Sequence, residues 1–252
     1  MNKRAIVPDS DGPPSTPPAG VEARPPQVLV GATFVIGAAA RSQLPDQGAR
    51  EIAFAGRSNA GKSTAINTLA NRARLAFASK TPGRTQQINF FRLRSGALLA
   101  DLPGYGYAAV PRELKRHWQE FLARYLSTRQ SLFGLVLVVD ARHGLADLDR
   151  VLLAEYLPSG RPVLLLATKM DKLTASAQRT AERAIAAAIA ADFPAQAVNV
   201  TVVPFSATRR LGIAAAEATI AAWLGLDDGA DGAQPPAAPD DPSKKGPRDQ
   251  GE

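Results

Sequence analysis

Hydrophobic residues follow two alternating patterns along the chain, short continuous runs and runs spaced at three and four residues. The continuous runs predict buried strands over residues 51–55, 88–93, 97–102, 135–139, 163–167 and 198–203. The spaced runs predict helices over residues 61–72, 111–128, 147–157, 174–191 and 211–223. Trp118 and Trp223 lie on the apolar faces of two of these helices and are predicted to anchor the core. Strands that alternate with helices predict an α/β fold, with a mostly parallel central sheet and helices on both faces.

The two ends of the chain lack large apolar residues. Residues 1–26 and 227–252 together hold 12 of the 20 prolines. Such segments bury too little apolar surface to offset the entropy lost on ordering, so we expect a disordered Pro-rich N-terminal tail and a disordered acidic C-terminal tail. Residues 27–226 are predicted to form one folded domain.

Positive charge is concentrated in that domain. Of the formal net charge of +7, residues 1–26 contribute none and residues 227–252 contribute −4. Residues 27–226 therefore carry +11, from 24 basic and 13 acidic residues. A domain this basic favours a polyanionic partner, with nucleic acid ahead of an anionic membrane surface.

Several functional classes are excluded by composition. The chain has no Cys and only two His, which excludes a disulfide scaffold, a cysteine nucleophile and a histidine-rich metal cage. No apolar run reaches the roughly 18 residues of a membrane span, and the N-terminus is unlike a secretory signal. A soluble cytoplasmic protein without stable membrane association is the expectation.

A glycine-rich segment that matches G-x-x-x-x-G-K-[ST] directly follows the strand predicted at 51–55. Its residues are Gly56, Arg57, Ser58, Asn59, Ala60, Gly61, Lys62 and Ser63, followed by Thr64. Glycines let successive N–H groups turn toward phosphate oxygens, and the next helix directs its positive N-terminal end at the same anion. Lys62 is expected to reach the β- and γ-phosphates, and the Ser63 hydroxyl to bind Mg²⁺. The segment therefore predicts a nucleoside triphosphate site.

Two later segments indicate which base is bound. Thr168, Lys169, Met170 and Asp171 follow one buried strand, and Ser206, Ala207 and Thr208 follow the last. A carboxylate at Asp171 can accept both N1–H and the exocyclic N–H₂ of guanine, whereas adenine offers a bare acceptor at N1. A buried site of this kind can reject the wrong analogue by about 10⁴-fold. Guanine is the predicted base.

These segments resemble the TRAFAC-class GTPases and, within them, the EngB family of bacterial ribosome-biogenesis GTPases. The similarity covers about residues 30–224 and includes the most family-specific string, Asp101-Leu102-Pro103-Gly104-Tyr105-Gly106-Tyr107-Ala108. The other matching segments are the phosphate loop, Pro82-Gly83-Arg84-Thr85-Gln86 and Thr168-Lys169-Met170-Asp171. The resemblance implies a Ras-like P-loop GTPase domain over residues 27–226, with a nucleotide site built from five loops.

The resemblance also implies individual roles. Thr85 would close on Mg²⁺ and the γ-phosphate, Asp101 would hold Mg²⁺ through a water, and the Gly104 N–H would sense the γ-phosphate. Lys169 would pack over the base and the phosphate loop, and the Ala207 N–H would meet the guanine oxygen. Thr168 stands where many GTPases have Asn, which removes an amide that could brace the phosphate loop. The expected nucleotide contacts also include Pro82, Gly83, Arg84, Leu102, Pro103, Met170, Ser206 and Thr208.

Hydrolysis is expected to be slow without help. In Ras-type enzymes a Gln after D-x-x-G orients the attacking water, and this chain has Tyr105 there. Lys62, Thr85 and Asn59 are the predicted catalytic residues. Asn59 resembles the residue of GTPases that bind K⁺ beside the phosphates; alternatively, it caps its own backbone. A partner could also supply the missing stabilisation, and Arg84 is more simply explained as solvated or phosphate-facing.

The expected output is a monomeric switch that contacts ribosomal RNA in a large-subunit precursor, with a family link to cell division and septation. Basic residues cluster around the predicted switch loops, with aromatic residues among them: Lys80, Arg84, Arg92, Arg94, Arg112, Lys115 and Arg116, with Phe90, Phe91, Tyr105 and Tyr107. At least one of Phe90 and Phe91 is expected in the core, because they alternate along a strand. Two alternatives stay open: a binding module that barely hydrolyses GTP, and a membrane-surface signalling GTPase.

Overall fold

The computed structural model describes residues 27–76, 87–106 and 112–226, and of residues 112–119 the backbone alone. The strands are β1 (Thr33–Ala38), β2 (Glu51–Gly56), β3 (Ile88–Arg92), β4 (Leu98–Asp101), β5 (Leu132–Asp140), β6 (Val163–Thr168) and β7 (Val200–Pro204). The helices are α1 (Lys62–Leu69), α2 (Arg112–Thr128), α3 (Asp147–Tyr156), α4 (Ala175–Asp192) and α5 (Ile213–Leu224). The two predicted disordered tails lie outside the described residues.

The strands form one seven-stranded sheet in the order β1-β3-β4-β2-β5-β6-β7. Strands β4, β2, β5, β6 and β7 run parallel, while β3 pairs antiparallel with both β1 and β4. Because the connections between the parallel strands pass through helices, the carboxyl ends of these strands meet at one edge of the sheet. The predicted mostly parallel α/β fold is confirmed.

Each face of the sheet carries its own hydrophobic core. On β2, Ile52 and Phe54 point into the core shared with α1 and α5, while Ala53 and Ala55 point into the core shared with α2, α3 and α4. This alternation follows from the two-residue period of a strand, and it explains why buried strands read as continuous apolar runs. Within the described ranges, no helix is both long and apolar enough to cross a bilayer.

The structure confirms the prediction that Trp223 anchors the core. Its ring lies against β5 where that strand has Gly134, and a Cβ placed on Gly134 would fall 2.0 Å from a ring carbon of Trp223. Nothing larger than hydrogen fits at this glycine while the indole keeps its place. The Trp118 side chain lies outside the described residues.

Strand β1 was not predicted from the sequence. It lies at the edge of the sheet, where Phe34 is 60%, Val35 41% and Ile36 37% exposed. A strand with solvent on both faces needs no long apolar run, and the run in β1 is limited to Phe34, Val35 and Ile36, so the signal that marks the buried strands is weak here. The ring of Phe34 meets that of Phe91 edge to face, with centroids 5.7 Å apart, and this contact helps to seat the strand.

A buried ion pair closes the opposite, amino-terminal edge of the parallel strands. Glu51, the first residue of β2, is fully buried and accepts hydrogen bonds from Arg129 Nη2 at 2.9 Å and Arg129 Nε at 3.2 Å. Tyr125 and Ser131 also donate to this carboxylate. Burial and the nearby Glu51 charge raise the pKa of the Tyr125 hydroxyl well above its usual value, so it remains a donor.

Candidate nucleotide-binding site

The glycine-rich segment forms a loop between β2 and α1. Gly56 ends β2, and a Cβ there would lie 2.7 Å from the carbonyl oxygen of Val138 on β5. Gly61 caps α1 with a φ of 102°, and Asn59 has a φ of 64°. These left-handed residues curl the main chain in front of the α1 N-terminus, which is the geometry that presents N–H groups to an anion.

Lys62 and Asp101 meet beside this loop. Lys62 is the first residue of α1, Asp101 is the last residue of β4, and the Lys62 ammonium forms an ion pair with the Asp101 carboxylate. Their side chains are 10% and 5% exposed. The two charged groups that the motifs assign to phosphate and metal chemistry are therefore neighbours beside the phosphate loop. Ser63 and Thr64 follow in the first turn of α1.

The predicted base-recognition residues come together at the ends of β6 and β7. The Ser206 hydroxyl donates to Asp171 Oδ1 at 2.8 Å, and this bond lowers the pKa of the Asp171 carboxyl. Asp171 is thus an ionised acceptor, which is the form that two guanine N–H donors require. The Ala207 N–H has no acceptor within the described part of the chain, as expected of a group that meets a ligand. Met170 is buried and Thr208 is exposed next to them.

Lys169 joins the base-binding loop to the phosphate loop. Its ammonium donates to the Asn59 carbonyl oxygen at 2.6 Å and pairs with Asp140 Oδ2 at 2.9 Å. Although burial opposes ionisation, hydrogen bonds from Arg142 and Lys169 hold the pKa of Asp140 well below its usual range. The position of Lys169 over the phosphate loop agrees with what the family resemblance implies.

Asp140 was missed by the sequence reasoning. The available signal was its place at the end of buried β5, beside β6, because functional side chains collect where parallel strands end. Its carboxylate also accepts from Arg142 Nε at 3.0 Å and Arg142 Nη2 at 2.7 Å. Asp140 therefore fixes both Arg142 and the Lys169 side chain that reaches the phosphate loop.

Thr168 braces the phosphate loop after all. The sequence suggested that Thr in place of Asn removes an amide that could do so. In the structure the Thr168 hydroxyl lies 2.5 Å from the Ala60 carbonyl oxygen and 3.0 Å from that of Val139. A hydroxyl carries one proton and can serve either acceptor, so the loop is tied to β6 by a shorter side chain than expected.

The D-x-x-G loop crosses in front of the phosphate loop. Leu102 is buried and its N–H donates to the Phe54 carbonyl oxygen at 2.9 Å, and Pro103 follows it. A Cβ on Gly104 would lie 3.5 Å from both the N and the Cα of Ser58. Gly104 is therefore packed against the phosphate loop, where its family role as γ-phosphate sensor would place it.

Several predicted residues fall outside what the structure describes. They are the switch I residues Pro82, Gly83, Arg84 and Thr85, together with Lys80 and Tyr107, and the side chains of Arg112, Lys115 and Arg116. Asn59 is described, and its side chain is exposed and forms no hydrogen bond with the described residues, so these residues give no support to the backbone-capping alternative.

Phe90 and Phe91 both lie in the core, which confirms the expectation that at least one of them does and removes both from the expected RNA surface. Phe90 is fully buried and Phe91 is 4% exposed, because β3 lies between β1 and β4 with a core on each face. Arg92 and Arg94 are exposed. Only the basic residues of this stretch of the chain are therefore available to a partner.

The site has the features of a P-loop GTPase. They are a phosphate loop between a strand and a helix, Asp101 at a strand end beside Lys62, and an ionised Asp171 at the position that recognises the base. Residues 51–169 match the family described as "50S ribosome-binding GTPase". The chain is 52% identical over 193 residues to the probable GTP-binding protein EngB of Azoarcus sp. (strain BH72), covering 77% of this chain and 91% of that protein. The chain belongs to the EngB family of GTP-binding proteins.

Other comparisons agree with this assignment. The probable EngB protein of Ralstonia nicotianae is 48% identical over 215 residues, covering 81% of this chain and 89% of the relative. A crystal structure of a probable EngB protein superposes with a TM-score of 0.55 at 24% identity, covering 69% and 98% of the two chains. Era of Aquifex aeolicus bound to GDP·AlF₄⁻ gives a TM-score of 0.52 at 22% identity, covering 69% and 56%. The two superpositions show the shared fold, and membership of the EngB family makes the protein a GTP-binding P-loop GTP hydrolase.

Proposed function

We propose that this GTPase is a nucleotide-dependent switch in the assembly of the large ribosomal subunit. The observation that carries the proposal is a guanine-selective phosphate-loop site in a chain whose matching family is described as 50S ribosome-binding. The +11 net charge of residues 27–226 supports an RNA partner. Such a switch acts in the cytoplasm, where ribosomes assemble.

Mg²⁺ is the metal that the donor set fits. A hydroxyl at Ser63 and a carboxylate at Asp101 are hard oxygen ligands, and Thr85 is the third candidate from the sequence. The described residues contain no cluster of three or more His, Asp or Glu, which suits a metal held mainly by nucleotide phosphates and water. Bound there, Mg²⁺ would neutralise charge on the β- and γ-phosphates. Lys62, the first residue of α1, would then turn from Asp101 to the phosphates.

Intrinsic hydrolysis is proposed to be slow and stimulated by K⁺ or by the ribosomal partner. Tyr105 replaces the water-orienting Gln, and its hydroxyl donates to Asp149. The exposed Asn59 side chain is available to a cation, and turnover in K⁺ buffer should exceed that in Na⁺ buffer. If wild type and Asn59→Ala turn over GTP at the same rate in K⁺ buffer, the proposed role of Asn59 in K⁺ binding is contradicted. Single-turnover phosphate release distinguishes this switch from a module that keeps GTP as a structural ligand.

The RNA-facing surface is proposed to include Arg92 and Arg94. Both are exposed, and Arg92 Nη1 donates to the Gly96 carbonyl oxygen at 3.3 Å, which leaves most of the guanidinium free. They lie at and just after the end of β3, where Arg92 pairs with Leu98 at the amino-terminal edge of the parallel strands, opposite the phosphate loop. Loss of the γ-phosphate is expected to release the switch loops. The nucleotide dependence of binding is therefore proposed to come from contacts at those loops, and Arg92 and Arg94 are proposed to add charge-driven affinity.

Co-sedimentation with purified 50S subunits tests the proposal. Wild type should pellet with the subunits in a non-hydrolysable GTP analogue and much less in GDP. The double variant Arg92→Glu/Arg94→Glu should bind the subunits more weakly and with a smaller dependence on salt. The charge-matched control is Arg179→Glu/Arg183→Glu, which changes two exposed residues of α4 and should bind as wild type does. Binding that ignores both the nucleotide and the charge reversal would reject the proposed switch.

A further inference from the structure

Tyr105 is held at both its main chain and its side chain. We propose that Tyr105 and Asp149 are positioning residues for GTP hydrolysis, because their hydrogen bond holds the D-x-x-G loop against the phosphate loop. The proposal rests on GTP hydrolysis by this family and not on the ribosomal role. It gives a function to a tyrosine that the comparison with Ras-type enzymes leaves without one.

The main-chain contact ties this loop directly to the phosphate loop. The Ser58 N–H donates to the Tyr105 carbonyl oxygen at 2.8 Å, and Arg57 and Tyr105 form an isolated parallel bridge. Gly104, the residue before Tyr105, consequently packs against Ser58. A single main-chain hydrogen bond between two loops contributes little net stability, so it needs a second support to hold one geometry.

The side-chain contact supplies that support from α3. The Tyr105 hydroxyl donates to Asp149 Oδ1 at 2.6 Å, and Asp149 Oδ2 accepts from the Ala146 N–H at 2.9 Å. Asp149 is 1% exposed and lies in the first turn of α3, where the helix dipole favours a negative charge. Both carboxylate oxygens are engaged, so the acceptor that Tyr105 meets has a fixed position.

The surroundings keep the Tyr105 hydroxyl protonated. Burial, the nearby Asp149 charge and the hydrogen bond to Asp149 raise the pKa of the Tyr105 hydroxyl well above its usual value, so it stays a donor. Burial also raises the pKa of Asp149, against the opposing effects of its hydrogen bonds and of Arg57 and Arg150. Arg57 belongs to the phosphate loop, so charge and hydrogen bonding connect the same three segments.

The consequence for catalysis follows from preorganisation. Without a water-orienting Gln, hydrolysis depends more heavily on main-chain groups that are already in place when GTP binds. A D-x-x-G loop fixed at Tyr105 needs little further ordering around the γ-phosphate. A loop released at Tyr105 would lose conformational entropy on binding GTP, but not on binding GDP, which lacks that phosphate.

Tyr105→Phe in the full chain is the test, with Tyr156→Phe as the matched control. The Tyr156 hydroxyl is buried and has no hydrogen-bond partner among the described residues, so its removal breaks no bond. We expect Tyr105→Phe to lower single-turnover hydrolysis and the ratio of GTP to GDP affinity by about tenfold each, the factor for one charge-assisted hydrogen bond. The GDP affinity of Tyr105→Phe should stay within about twofold of wild type. Tyr156→Phe should match wild type in hydrolysis rate, in GDP affinity and in the ratio of GTP to GDP affinity.

Asp149→Asn provides the second variant. The amide has one acceptor oxygen for the two donors that now share the carboxylate, the Tyr105 hydroxyl and the Ala146 N–H. Its loss in hydrolysis should not add to that of Tyr105→Phe when both changes are combined. Losses that multiply, wild-type hydrolysis in Tyr105→Phe, or an equal fall in GTP and GDP affinity would each overturn the proposal. Since 50S co-sedimentation is a separate readout, such a failure would leave the ribosomal proposal standing.

Discussion

The two edges of the parallel sheet use the same ingredients, carboxylates paired with basic groups, in opposite ways. At the amino-terminal edge, Glu51 is fully buried and accepts from three side chains, including both Nε and Nη2 of Arg129. At the carboxyl-terminal edge, Lys62 and Asp101 pair with each other at the rim of the phosphate loop. The first arrangement leaves no capacity for a ligand, whereas the second consists of groups that can exchange partners.

This difference shows how a fold separates stability from function. A buried ion pair contributes little net stability but is costly to break by removing one partner, so it locks a structure. A pair beside an anion-binding loop can be opened by phosphate, because the incoming charge replaces the lost one. Saturation of the carboxylate, and not its charge, distinguishes the two edges. Two variants test that distinction directly and two more extend it to a lone buried carboxylate and to a hydroxyl beside the phosphate loop, from the largest expected effect to the smallest.

Arg129→Met should destabilise the fold most. It leaves Glu51 buried without its main partner, and we expect the free energy of unfolding to fall by about 3–5 kcal/mol. Chemical denaturation measures this loss, and GDP affinity should be unchanged. Combining it with Glu51→Leu removes the orphaned charge and should recover part of the stability. If Arg129→Met lowered the free energy of unfolding only slightly, the ion pair at the amino-terminal edge would not have the proposed stabilising role.

Lys62→Ala should have the reverse profile. Removing the cation at the phosphates should lower single-turnover hydrolysis by about 10²–10³-fold, as loss of one charge-stabilising donor does elsewhere. Its unfolding free energy should fall by less than that of Arg129→Met, because Lys62 makes one contact with Asp101 whereas Arg129 makes two hydrogen bonds with Glu51. Nucleotide titration and denaturation of the same preparation check both halves. Unchanged nucleotide binding would remove the basis of the site.

Glu217→Gln probes a third carboxylate, on α5. Glu217 is 3% exposed, its one hydrogen bond within the described residues comes from the Val28 N–H at 2.6 Å, and burial raises its pKa to about 7. The folded state therefore holds a proton that the unfolded state releases at lower pH, so stability should fall as pH rises from 5 to 8. In Glu217→Gln the free energy of unfolding should fall by about 2–3 kcal/mol less than in wild type over this pH range. Denaturation at several pH values measures the difference, and the same pH dependence in both proteins would contradict the prediction.

Thr168→Val should have the smallest effect. It removes the hydroxyl that ties β6 to Ala60, and we expect GDP affinity to fall by about fivefold, corresponding to roughly 1 kcal/mol for one neutral hydrogen bond. Thr168→Ser keeps the hydroxyl and is the control that should retain affinity. If Thr168→Val binds GDP as tightly as wild type does, the hydrogen bond from Thr168 has no role in nucleotide binding.

The motifs predicted the site because each describes a local backbone geometry. Gly56, Gly61, Lys62 and Asp171 lie where a strand–loop–helix pattern and parallel strand order require. Partners distant in sequence were not accessible in this way. Asp149 meets Tyr105 across 44 residues and Thr168 meets Ala60 across 108, so both contacts depend on how strands and helices pack. Strand β1 was missed for a different reason, since an exposed edge strand needs no long apolar run.

The contact between Gly134 and Trp223 limits how this sequence can diverge. The two positions are 89 residues apart in the chain but share one volume, so a side chain at 134 requires a smaller one at 223. Neither substitution is neutral alone: Gly134→Ala clashes, and Trp223→Leu opens a cavity. The pair should therefore covary in an alignment of relatives.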